Sequence, residues 1–111
     1  MRVIVCGGRD YADYSAVARA LHQNGVSELA CGGATGADSL AYDWAWKTGK
    51  PCKLFYADWK QHGKAAGPIR NQQMLDEFKP DAVIAFPGGK GTADMVRRAR
   101  AAGVRVVEGE G

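Results

Sequence analysis

Short apolar runs closed by glycine alternate along this chain with stretches in which apolar residues recur every three to four positions. The runs read as buried strands, and the three-to-four spacing reads as helices with one face on a core. Applied from end to end, the pattern predicts strands at 2–6, 28–31, 52–56, 82–86 and 104–107 and helices at about 14–24, 37–48, 69–78 and 92–102. Asp13 suits a helix N-cap, Asn24-Gly25 a helix stop and Pro68 the first turn of a helix. Strands joined by single helices pair in parallel through crossovers, so the expected class is α/β, with a five-stranded parallel sheet and helices on both faces. In such a sheet the strand-to-helix turns share one edge, and ligands bind where the strand order reverses.

Three of these turns are rich in glycine. Val3-Ile4-Val5 runs into Cys6-Gly7-Gly8-Arg9, and Leu29-Ala30-Cys31 runs into Gly32-Gly33-Ala34-Thr35-Gly36-Ala37-Asp38. The third follows Ala82-Val83-Ile84-Ala85, as Phe86-Pro87-Gly88-Gly89-Lys90-Gly91-Thr92. Glycine lets the backbone approach a ligand, and the free amides and positive end of a following helix favour an anion, usually a phosphate. The three turns are therefore expected to converge on one cleft for a nucleotide-like small molecule.

The side chains around these turns leave choices open. Arg70 falls in the first turn of its helix, where the dipole disfavours a cation, so it calls for an anionic partner, either a ligand phosphate or Asp38. Asp38 either complements its own helix or faces the cleft. Asn71 binds ribose hydroxyls or caps local backbone; Lys90 touches an anion or sits exposed at a turn tip. Of Arg9 and Asp10, one reaches the ligand while the other pairs with it, or both form a solvated loop pair. Asp94, four residues before Arg98, reads as a surface ion pair worth ~0.3 kcal/mol. Cys6 reads as a packing thiol, since no motif places a base beside it. His62, Asp58, Trp59 and Lys64 share a long loop that is either a lid over a bound base or a mobile surface segment.

Composition narrows the class further. With 111 residues, 46% of them hydrophobic and 24% charged, the chain is expected to form one soluble domain over 1–111. No apolar stretch approaches the ~20 residues of a membrane span, and Met1-Arg2 leads straight into a strand, which predicts a cytoplasmic protein. Cys6, Cys31 and Cys52 match no metal-ligand spacing and read as reduced thiols; no metal and no cofactor are expected. The net charge of +3 suits a small anion and argues against a nucleic-acid groove. On the helix at 37–48, Leu40, Ala41, Trp44 and Ala45 form the core stripe, which leaves Tyr42 and Trp46 over. That surplus predicts a homodimer through this helix.

The order Val5-Cys6-Gly7-Gly8, Cys31-Gly32-Gly33 through Gly36, Arg70-Asn71-Gln72-Gln73-Met74 and Pro80-Asp81 through Gly91-Thr92 resembles the SLOG superfamily. Within it, Gly7-Gly8-Arg9-Asp10, Gly36-Ala37-Asp38 and Gly67-Pro68-Ile69-Arg70-Asn71 are similar to the small YspA-type group. The resemblance implies a Rossmann-like sheet that binds a nucleotide or nucleotide-derived ligand. Its phosphoribohydrolase branch implies a 5′-phosphate on the turn Gly88 to Thr92, and dimers with sites near the subunit boundary. The same branch implies an arginine at Arg70, acting with a glutamate three residues after the threonine. That position is Met95 here, so binding without cleavage is the expected function. The alternatives are a nucleoside-monophosphate N-glycosidase using Asp38 or Asp94 and, less favoured, single-stranded DNA binding of the DprA kind.

Overall fold

A computed structural model describes residues 1–109. The chain runs β1 (Arg2–Cys6), α1 (Tyr14–Gln23), β2 (Glu28–Cys31), α2 (Ala37–Thr48), β3 (Cys52–Leu54) and α3 (Trp59–His62). A 3₁₀ turn (Gly63–Ala65), α4 (Ala66–Phe78), β4 (Ala82–Ala85), α5 (Lys90–Ala101) and β5 (Arg105–Glu108) follow. All strand pairs are parallel, in the order β3-β2-β1-β4-β5.

Side chains alternate across each strand, and the two sets feed two cores. Val3, Val5, Leu29 and Ile84 pack with Val17 and Leu21 of α1 and Ala41, Trp44 and Ala45 of α2. Ile4, Cys6, Ala30, Val83 and Ala85 pack on the other face with Met74, Leu75 and Phe78 of α4 and Met95 and Ala99 of α5. The Rossmann-like α/β fold with both faces covered is thus present. It explains why the central strands read as unbroken apolar runs.

The chain builds outward from β1 to β2 and β3, then returns to place β4 on the other side of β1, with β5 beyond it. Strand order reverses between β1 and β4, and the turns after these two strands meet there. The Asp13 carboxylate accepts from the Ala16 amide at 3.0 Å, as an N-cap does, and Gly25 follows α1 at φ +61°. No helix among the described residues is long and apolar enough to cross a membrane.

Differences from expectation gather after β3. That strand ends at Leu54, two residues early, and the segment from 57 to 68 is not one long loop. It holds α3, the 3₁₀ turn and the start of α4, three residues ahead of the expected helix. A four-residue helix is too short to show a period, and this one, with no buried residue, is held by its Asp58 N-cap. α5 likewise begins at Lys90 rather than Thr92, because Gly89 serves as its N-cap. Edge strand β5 is shifted by one residue, to 105–108.

Candidate functional site

The glycine turns are tied to one another through their backbones. The Gly8 amide donates to the Pro87 carbonyl at 2.8 Å, joining the turns after β1 and β4. The Gly8 carbonyl accepts from the amides of Tyr11 and Ala37, each at 3.2 Å, which joins the turn after β2. Gly36 stands at φ +77°, and a Cβ there would overlap the Gly8 carbonyl, so only glycine closes this junction. The result is a cleft of about 570 Å³ over the ends of β1, β2 and β4, roofed by α3 and the start of α4. That volume lies within the ~300–1,000 Å³ of small-molecule sites.

One wall is the first turn of α5, where Gly89, Lys90, Gly91 and Thr92 line the cavity. The amides of a first helical turn have no partner within their helix, so they are available to an anion. Arg9, Lys64, Arg70, Lys90 and Arg97 also line it, five cations against the two carboxylates of Asp38 and Asp94, an excess of three positive charges.

Arg70 and Asp38 are bridged by the Gly32 peptide. The Gly32 amide donates to the Asp38 carboxylate at 3.0 Å, and the Gly32 carbonyl accepts from the Arg70 guanidinium at 2.9 Å. Asp38 also accepts from the Ala34 amide at 3.2 Å, and Arg70 also donates to the Phe55 carbonyl at 3.3 Å. Burial pushes the Asp38 carboxyl above its ordinary value, against the pull of the Ala34 amide, the Arg70 charge and the Gly32 amide. Burial likewise draws Arg70 below its ordinary value, opposed by Asp38 and assisted by Arg9.

Asn71 links this pair to α5. Its side-chain oxygen accepts from Arg70 Nε at 3.0 Å, and its Nδ2 donates to Asp94 at 3.0 Å and to the Gly91 carbonyl at 3.2 Å. Asp94 takes two further bonds at 2.8 Å, from Arg97 and from Arg98. Burial would raise the Asp94 carboxyl, but Asn71, Arg98 and Arg97 outweigh it and hold the group below its ordinary value.

The family model described as the YspA, cpYpsA-related SLOG family matches residues 1–62. The Gene 61 protein of Mycobacterium phage D29 is 36% identical over 118 aligned residues, covering 96% of this chain and 94% of that protein. The chain belongs to the YspA, cpYpsA-related SLOG family. Among solved structures, MurG of Acinetobacter baumannii matches with a TM-score of 0.58 at 18% identity. The match covers 96% of this chain but only 34% of MurG, so what the two share is the fold. Membership in this SLOG family fits a nucleotide-related ligand-binding role.

Of the residues expected at the site, Gly7, Gly8, Arg9, Asp38, Arg70, Asn71, Gly89, Lys90, Gly91 and Thr92 all line the SLOG cleft. Gly33, Gly36 and Gly88 do not. Gly33 lies beside Tyr56, Gly36 closes the junction with Gly8, and Gly88 packs against Gly8 and Thr92. They shape the cleft from behind rather than face it. Asn71 faces it, yet its amide is engaged by Arg70, Asp94 and Gly91, so it orients Arg70.

Asp94 corrects the surface reading. Its pair with Arg98 is present, but the residue is only 7% exposed, because α4 covers this part of α5 and brings Asn71 to the carboxylate. Met95, at the position where the hydrolase branch has glutamate, is fully buried with Cys6 and Met74 beneath the cleft. Arg97 lines the cleft too and was missed; its one signal was its place one turn beyond the glycine turn. Cys6 is the packing thiol anticipated, pushed up to about 12 by burial and Asp38, with Arg70 opposing. Trp59 and Lys64 reach the cleft, whereas Asp58 caps α3 through the Gln61 amide at 3.1 Å.

Proposed function

We propose that this protein binds a nucleotide or nucleotide-derived phosphate ligand in the cleft and leaves it uncleaved. The phosphate rests on the first-turn amides of α5, with Arg70 and Lys90 neutralising its charge. The observation that carries this reading is the convergence of a glycine-capped helix N-terminus and five cations on one cavity at the point where strand order reverses. Thermal unfolding with AMP tests it, because a ligand at about 100 times its Kd adds about 2.7 kcal/mol of stability. Gly89→Val sharpens the test. Nothing lies within 4 Å of a Cβ at Gly89 and its φ is −100°, so the fold accommodates valine while the branched side chain blocks the amides. Normal AMP binding by folded Gly89→Val would place the phosphate elsewhere.

A second reading, cleavage of the N-glycosidic bond, draws support from the two carboxylates at the cleft. Asp94 is neutralised by two guanidinium groups, and Asp38, with its carboxyl raised by burial, is better suited to proton transfer. Little or no adenine release from AMP is expected by chromatography after prolonged incubation. Turnover on the order of 1 per second would replace the binding reading. Activity surviving in Asp38→Asn would remove Asp38 from the chemistry.

A further inference from the structure

Trp59 and Arg9 line the cleft together, from different elements. The Arg9 guanidinium stands over the Trp59 indole, 6.0 Å from the ring centroid. Both side chains are exposed, Trp59 by 50%, and among the described residues no carboxylate pairs with Arg9. A separation of 6.0 Å is the outer limit of a cation–π contact, so the two groups face each other without packing tightly.

The indole is held from behind. Asp58 caps the short helix that carries it, and the far edge of the ring lies over Gly67 in the first turn of α4. A Cβ at Gly67 would come within 3.3 Å of the ring carbon Cη2, so a side chain there would shift the indole. A glycine inside a helix is unfavourable for propensity, and here it makes room for this ring.

We propose that Trp59 and Arg9 are the two walls of a slot that takes the planar base of a nucleotide, making the ligand class a nucleoside phosphate rather than free phosphate or a sugar phosphate. An indole face and a guanidinium plane both stack on nucleobases, and such stacking tolerates any base. The slot rests on the proposed phosphate site at α5 and adds the second anchor to it. Its adjustable wall is Arg9, an exposed side chain that no carboxylate among the described residues holds in place.

Calorimetric titration of the full chain with AMP and with ribose 5-phosphate tests the slot. The unmodified protein is expected to bind AMP about tenfold more tightly than ribose 5-phosphate. Trp59→Leu should lose about that factor for AMP and nothing for ribose 5-phosphate, while Trp59→Phe keeps most of the affinity. AMP should quench tryptophan fluorescence in the unmodified protein and not in Trp59→Leu, although Trp44 and Trp46 remain. Gly67→Ala should weaken AMP alone without lowering the melting temperature, a pattern that a merely structural glycine would not produce. Undiminished AMP binding by Trp59→Leu overturns the slot, as does an equal loss for both ligands. Ribose 5-phosphate bound as tightly as AMP defeats the slot and spares the phosphate site. Failure of both to bind the unmodified protein defeats both.

Discussion

Replacing Asp94 by alanine separates a buried network from the surface ion pair that the spacing of Asp94 and Arg98 suggests. The carboxylate accepts from Asn71 at 3.0 Å and from Arg97 and Arg98 at 2.8 Å each. Arg97 is 70% exposed, so its share is screened and small. Arg98 is 32% exposed and Asn71 is buried, and a hydrogen bond to a charged group is worth about 1.5–3 kcal/mol, so the variant should lose about 2–3 kcal/mol at pH 7. For a chain of this size that corresponds to a fall in Tm of about 10 °C. The folded carboxyl lies below its ordinary value of 3.8, so its contribution is complete above that value and is lost as pH falls through the folded one. Urea unfolding of both proteins from pH 7 to pH 3 should therefore show a gap that is constant down to about pH 5 and narrows below about pH 4. Other carboxylates titrate in both proteins and cancel in the difference. A gap under ~0.5 kcal/mol at pH 7, or one unchanged at pH 3, would refute the network and return Asp94 to the surface.

Gly36→Ala should destabilise the fold by at least ~3 kcal/mol, because φ +77° is combined with overlap of the Gly8 carbonyl; a loss under ~1 kcal/mol in thermal melts would contradict the junction. Iodoacetamide at pH 8 should label half-buried Cys52 in the native protein, where a bond from Cys31 lowers its thiol, and leave Cys6 and Cys31 unlabelled until unfolding; rapid native labelling of Cys6 would contradict its burial. We also propose a homodimer through α2, since Trp46 is 80% and Tyr42 45% exposed. Light scattering should give a dimer that Trp46→Glu converts to monomer, and a monomeric unmodified chain at micromolar concentration would end that proposal.

The sequence by itself determined the sheet and the whereabouts of the cleft. Central strands buried on both faces must be apolar throughout, and a backbone that comes close to a neighbouring turn must be glycine. Both demands are written residue by residue, at Val3 to Val5, at Ala82 to Ala85 and at the three turns. Tertiary structure decided which residues of those turns face the cleft. Gly33, Gly36 and Gly88 carry the same sequence signal as Gly89 and Gly91, because a glycine that seats another turn and a glycine that opens onto the cleft look alike in the sequence. Asp94 shows the same division. Its spacing to Arg98 is local and legible, but its burial depends on Asn71 arriving from α4, more than twenty positions earlier in the chain. For Trp59 the sequence left open a lid over the cleft or a surface segment, since a helix of four residues has no period; its indole is placed by Gly67 and Arg9, which only the folded chain brings to it.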